Sequence, residues 1–269
     1  MGALPRRQHH DPSVTGDPSA AAASVGLPPV VVACLFDLDG VLTQTATVHF
    51  AAWKQMFDAH LRERAQRSGE PFVPFEQADY NATVDGRPRE DGVRGFLASR
   101  GITLPEGGPG DPDGAETVAA LATRKNDLVL RLIREQGVEV YPGSVRYVRA
   151  VRDAGLRRAV VSSSANCHEI LAAARIEDLF EVVVDGLVAQ RLGLRGKPAP
   201  DTFLEGAREL GVDPGHAAVF EDALAGVEAG RAGGFAHVVG VDRVGQAEEL
   251  LRHGADIVVS DLAELLEQP

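Results

Sequence analysis

The sequence predicts an α/β protein, with a doubly wound, Rossmann-like parallel-sheet core and a helical cap domain inserted after the first strand. Three observations predict it. The run VVVACLF, residues 30–36, is continuously apolar and rich in β-branched residues, as a strand buried on both faces requires. Residues 46–140 carry helical patterning only. Beyond them, short apolar runs alternate with helical stretches, and strands alternating with helices build a parallel sheet covered on both sides.

The chain has 269 residues, enough for one large domain or for a core with a smaller insert. Residues 1–29 are rich in Pro, Gly, Ser and Asp and read as a disordered tail. The adjacent His9 and His10 make a weak metal pair in such a segment. After Gly40 the pattern becomes helical, with Val48, Ala52, Met56 and Phe57 roughly on one face and a charged stretch, LRERAQR, beyond them. Two more helical stretches follow, around REDGVRGFLASR and from GAETVAAL onward. The loop between them, residues 101–114, is dense in Gly, Pro and Asp. In the second half, RRAVVSS, FEVVVDG, HAAVFED, AHVVGVD and ADIVVSD read as strands. NCHEILAAARI, APDTFLEGARELG and ALAGVEAGRAGG read as the helices between them. The expected organisation is a tail at 1–29, a catalytic core at 30–45 and 141–269, and a helical cap at 46–140.

Composition narrows the class of function. Hydrophobic content of 44% and charged content of 25% are those of a soluble globular protein. A net charge of −12 argues against nucleic-acid or anionic-membrane partners, which need basic patches. No apolar stretch reaches the roughly 18 residues that span a bilayer, and no signal-peptide segment is visible. Cys34 and Cys167 are isolated, as in a reducing compartment, so a cytoplasmic location is expected.

Chemistry concentrates where strands end. The first supplies Asp37 and Asp39, the second Ser162, Ser163 and Ser164, a later loop Lys197, and a fourth strand Glu221 and Asp222. Parallel strands bring these ends to one edge of the sheet, the edge where open α/β sheets bind ligands. Asp37, Glu221 and Asp222 would repel one another unless a hard cation sat among them, and Mg2+ prefers such oxygen ligands. With charge neutralised by the metal and Lys197, the Asp37 carboxylate can approach phosphorus as a nucleophile. Ser162 can hydrogen-bond the transferring oxygens. Asp39, two residues on, is placed to give a proton to the leaving oxygen and take one from the attacking hydroxyl. A domain inserted after the first strand would lie over this edge and exclude water.

FDLDGVLT, VVSSS, GKPAPD and VFEDALAGVEAG, in this order, resemble the four motifs of the haloacid dehalogenase superfamily. TVHFAAWKQMF, GRPREDGVRGFL and RKND resemble the cap of its β-phosphoglucomutase-like subfamily. The resemblance implies an enzyme that interconverts β-D-glucose 1-phosphate and D-glucose 6-phosphate through an aspartyl phosphate and a bisphosphate. A Mg2+-dependent sugar-phosphate phosphatase is the alternative. It implies catalytic roles for Asp37, Asp39, Ser162, Lys197 and His49. It places one Mg2+ on Asp37, the backbone carbonyl of Asp39, Glu221 and Asp222. Thr45, Arg89, Lys125, Ser164 and Asn166 become substrate-binding positions, the distal phosphate falling to Arg89, Ser164 and Asn166. The expected partner is a small phosphorylated sugar, the expected activator a bisphosphorylated sugar, and the expected state a monomer. Three departures bear on the substrate. Gln44 replaces an Asp at the hinge, Ala165 replaces a Lys of the distal clamp, with Arg87 and Arg89 left to compensate, and residues 101–114 are an insertion.

Overall fold

A computed structural model describes residues 18–108, 110–112 and 114–267. Six parallel strands form its sheet: β1 (Ala33–Phe36), β2 (Arg157–Val161), β3 (Val182–Val184), β4 (Ala217–Glu221), β5 (His237–Val241) and β6 (Ile257–Val259). Their order is β3-β2-β1-β4-β5-β6, so β1 lies between β2 and β4. β1 is shorter than the apolar run 30–36. Val30 follows two prolines and is exposed, while the Val32 amide already reaches the carbonyl of His216.

Each strand is apolar on both faces, and each face has its own core. Cys34 and Phe36 point one way and Leu35 the other, as the two-residue period of a strand demands. On the first face Phe36 stacks on Phe220, with ring centroids 4.5 Å apart, and Tyr147 packs edge-on against Phe36. Helix α6 (Pro142–Asp153) and helix α7 (Cys167–Ala174) cover that face. On the other face lie α9 (Asp201–Leu210), α10 (Leu224–Ala232) and α11 (Ala247–His253), through Phe203, Val227 and Leu250. A short helix, α8 (Gly186–Leu192), follows β3 and buries none of its residues. Cys34 and Cys167 are buried free thiols.

Strand register sets where the polar residues emerge. Phe36 is level with Val160 on one side and Phe220 on the other. The residues just past these positions, Asp37, Val161 with Ser162, and Glu221, therefore emerge side by side at the carboxyl edge.

Four helices lie between β1 and α6: α2 (Thr45–Ser68), α3 (Gln77–Thr83), α4 (Arg89–Ser99) and α5 (Val118–Gln136). They bury a separate core of Trp53, Phe57, Phe75, Phe96 and Leu121, in which Phe57 and Phe96 approach to 4.2 Å. The Thr117 hydroxyl caps α5 by accepting from the Ala120 amide, which explains why that helix starts after the Gly/Pro/Asp loop. α3 was not evident in the patterning; a reciprocal capping box between Glu76 and Asp79 starts it. Two chain crossings join this layer to the sheet, and they are zipped together. Gln44 donates its amide to Glu139 O and its side chain to Val140 O, and the Tyr141 amide reaches Leu42 O.

Residues 18–29 depart from the expected disordered tail. Pro18–Ala23 form helix α1, and Ala22, Val25 and Leu27 are buried in the α6 face of the core. The alanine run favours a helix, and its small apolar side chains find a cleft, so composition alone misjudged this segment. Residues 1–17, including His9 and His10, lie outside the described residues. No helix among the described residues is long and apolar enough to cross a membrane.

The buried Tyr147 hydroxyl donates to Val25 O over 3.0 Å, tying this segment to α6. Tyr147→Phe would orphan a buried carbonyl and should cost about 1–3 kcal/mol in unfolding free energy. Urea unfolding reads this directly, and an unchanged midpoint would show that residues 18–29 are not docked.

Candidate active site

The Lys197 ammonium is the centre of the edge. It is buried and donates to Asp37 Oδ1 and Glu221 Oε1, each at 2.5 Å, and to Val161 O at 3.2 Å. Burial works against its charge, but Asp37 and Glu221 outweigh it and hold it above the ordinary lysine value. Burial pushes the carboxyls of Asp37 and Asp222 above their ordinary range; Lys197 opposes this, most strongly at Asp37. One ammonium is thus bonded to two of three buried carboxylates, and the third, Asp222, has no bond from it.

Asp37, Glu221 and Asp222 offer oxygens that all lie within 4.8 Å of one another. All-carboxylate donors with a residual negative charge suit a hard divalent cation. Two glycines make room for the cluster. A Cβ on Gly40, whose φ is +88°, would meet Asp222 Oδ2 at 1.8 Å, and one on Gly226 would meet Glu221 Oε1 at 1.8 Å. Both explain why motif glycines flank the acids. The Ala223 amide donates to Glu221 Oε2 at 2.9 Å and fixes that side chain.

Asp39 is reached from the cap side. The Thr45 hydroxyl donates to its Oδ1 and is itself 2.6 Å from the Thr43 hydroxyl. His49 Nε2 stands 3.6 Å from the same oxygen. His49 Nδ1 contacts Lys125 Nζ at 2.9 Å, and that ammonium also lies 5.0 Å over the Trp53 ring. Burial and then the Lys125 charge push the His49 imidazole down to about 4, so it is neutral near pH 7. With Lys125 donating to Nδ1, the ring proton resides on Nε2 and faces Asp39. Burial pulls Lys125 down to about 7, against the attraction of Asp39.

A cavity of about 420 Å³ connects these groups. It is lined by Asp37, Asp39, Ser162 and Asp222 and also by Arg87, Arg89, Ser164 and Asn166. The sequence-predicted residues therefore gather in one place. Three of them stand just behind the cavity wall: Thr45 reaches it through Asp39, and Lys197, with Glu221 bonded to it, through Asp37. Ser162 is buried, and its hydroxyl accepts from the Ser164 amide. Arg89 approaches Glu90 at 3.6 Å and still lines the cavity.

Two contacts seat the cap on the core. Asn166 Nδ2 donates to Asn126 Oδ1 at 2.9 Å, and the Ser163 hydroxyl donates to Gly86 O at 2.8 Å. Sequence reading missed Asn126 and Asp85. Asp85 lines the cavity, and burial followed by the charge of Glu221 pushes its carboxyl up to about 7, against the bond from Tyr80. The one available signal was that Asp85-Gly86 repeats the acid-glycine pairing of Asp39-Gly40.

Comparison with known proteins agrees with this geometry. The family model for haloacid dehalogenase-like hydrolases matches residues 31–234. A protein of Mycobacterium bovis named β-phosphoglucomutase is 57% identical over 253 residues, covering 93% of this chain and 97% of its own length. One of that name from Bacillus subtilis is 32% identical, covering 87% of this chain and 91% of its own. The crystal structure of β-phosphoglucomutase from Clostridium difficile superposes with a TM-score of 0.68 at 25% identity, covering 87% of this chain and 93% of that one.

The depressed Lys125 has a measurable consequence. In the unfolded chain it titrates near 10.5 and in the folded one near 7. Between these values the unfolded chain holds more protons, so this residue's contribution to stability rises with pH. The unfolding free energy of wild type relative to Lys125→Met should therefore increase from pH 7 to pH 10. A difference independent of pH would show that Lys125 is not desolvated.

Proposed function

The chain belongs to the haloacid dehalogenase-like hydrolase family, and from that membership we propose that it is a phosphosugar mutase interconverting β-D-glucose 1-phosphate and D-glucose 6-phosphate. The observation that carries this reading is that a single cavity is lined both by Asp37 and Asp39, the nucleophile and acid/base, and by cationic and amide groups, Arg87, Arg89 and Asn166, that can hold a second phosphate.

In this reading, Asp37 carries a phosphoryl group as an acyl phosphate. The 6-hydroxyl of β-glucose 1-phosphate attacks that phosphorus, and Asp39 takes the hydroxyl proton. The Asp37 carboxylate leaves, and a 1,6-bisphosphate forms. After the bisphosphate turns end for end, Asp37 attacks the phosphorus at C1, and Asp39 returns its proton to the departing O1. Glucose 6-phosphate and phospho-Asp37 result. Ser162 and Lys197 hold the transferring oxygens. Thr45 and neutral His49 fix Asp39, and Arg89, Ser164 and Asn166 hold the other phosphate.

Mg2+ is the expected occupant of Asp37, Glu221, Asp222 and the Asp39 carbonyl, where it would supply charge neutralisation for the transferring phosphoryl group. A bisphosphorylated sugar is the expected activator, since it can phosphorylate Asp37. One chain supplies every group named, which supports a monomer. The acidic net charge supports a protein free of nucleic acid and membrane, and the free cysteines support the reducing cytoplasm.

The test incubates protein, Mg2+, β-glucose 1-phosphate and a trace of glucose 1,6-bisphosphate, following glucose 6-phosphate and inorganic phosphate together. Glucose 6-phosphate with little phosphate is expected, and Asp37→Ala should abolish it. Stoichiometric phosphate would make the protein a sugar-phosphate phosphatase instead.

A further inference from the structure

Asp85 belongs to the cap, yet it is seated against the cation-binding carboxylates of the core. The segment that carries it is pinned from several sides. Gly86 lies so close to Ala223 that an added Cβ would be 2.9 Å from the Ala223 Cβ, so the residues that directly follow Asp85 and Asp222 are in contact, and both aspartates line the same cavity. Gly86 O accepts from the Ser163 hydroxyl. A Cβ on Gly196 would fall 2.0 Å from Pro88 Cγ, so the next turn of the segment also rests on the core. The Asp85 amide donates to the carbonyl of the buried Tyr80 at 3.0 Å. Asp85 is thus held in place and lines the same cavity as Asp37, Asp39 and Asp222.

This placement has an electrostatic cost of definite sign. Seating the cap adds a carboxylate to Asp37, Asp39, Glu221 and Asp222, against one core ammonium, Lys197. Like charges brought together at low dielectric repel strongly. A divalent cation among the core acids reverses the sign, because Asp85 is then drawn to the metal. The cap can respond as a unit, since it has its own apolar core and joins the sheet by two zipped crossings.

We propose that Asp85 makes seating of the cap and binding of the divalent cation mutually dependent. It acts as a positioning residue from the cap, outside the set of direct ligands. The inference rests on the cation site described above and not on the identity of the sugar. By reciprocity, a cation that favours the seated cap binds that cap more tightly.

The test uses the full chain with Mg2+ alone, comparing wild type with Asp85→Asn. Affinity is read by titration calorimetry, and seating by the radius of gyration in solution scattering and by fluorescence of Trp53, the single tryptophan, which lines the cavity. Wild type should compact as Mg2+ is added. Asp85→Asn should be compact without Mg2+, show no further compaction, and bind Mg2+ about fivefold or more weakly. Asp85→Ala serves as a second variant should the amide perturb folding. Equal affinity and equal Mg2+-driven compaction in wild type and variants would overturn the proposal while leaving the cation site standing. A wild type that binds no Mg2+, like an Asp222→Asn control, would overturn both.

Discussion

Lys197 sits between Asp37 and Glu221 with almost no access to water. A buried ammonium is tolerable only when its charge is matched and its protons are placed, and two carboxylates and the Val161 carbonyl do this. The match is incomplete. Asp222 adds a third buried acid that the ammonium does not reach, and the surplus negative charge is what a cation can bind. The same lysine therefore stabilises the folded edge and leaves it one cation short. Replacing the cluster with apolar groups would give an easier fold and no chemistry.

That arrangement depends on backbone register more than on side-chain choice. Phe36, Val160 and Phe220 stand level, so three strands release their polar residues at one height. The aromatic stack of Phe36 on Phe220 fixes β1 against β4, and a slip of one residue would turn Asp37 into the core and Phe36 towards the cavity. Gly40 and Gly226 then allow the chain to pass close beside acids that any Cβ would displace. Packing on the two faces of the sheet is in this sense part of the site, because it sets where the carboxylates emerge.

Much of this was legible in the sequence. The apolar runs ending in FDLDG, VVSSS and VFED report both strand and site because they converge in one set, whereas the Asp185 and Asp242 that also follow strands only cap or close turns. The parallel sheet and the helical insert followed from the alternation of patterns. What stayed hidden depends on contacts distant in sequence. Residues 18–29 look like tail because their few apolar residues are separated by Ser, Gly and Pro, and only the cleft beside Tyr147 makes Ala22, Val25 and Leu27 a core. Asn126 is an ordinary polar helix residue until α5 brings it to Asn166. Asp85 stands among polar neighbours in a turn, and only the seated cap shows what it faces.

The seating itself is sparse. Away from the Thr45–Asp39 bond at the hinge, the polar ties named between cap and core at the cavity are the Ser163–Gly86 and Asn126–Asn166 hydrogen bonds, each worth about 1 kcal/mol net. Such a contact is reversible, which a site must be if a sugar phosphate is to enter and leave. It is also weak enough for small charge effects to decide its population, since about 1.4 kcal/mol changes an equilibrium tenfold. Asp39 and Asp85 then play opposite parts on the two sides of one cavity. In the proposed reaction Asp39 moves the protons, held by the Thr45 hydroxyl with the His49 ring 3.6 Å away. Asp85 moves none, and its charge ties the cover of the site to the cation beneath it. A phosphoaspartate exposed to water would hydrolyse, so a cover that closes best over a charged and occupied edge is what separates transfer to sugar from transfer to water.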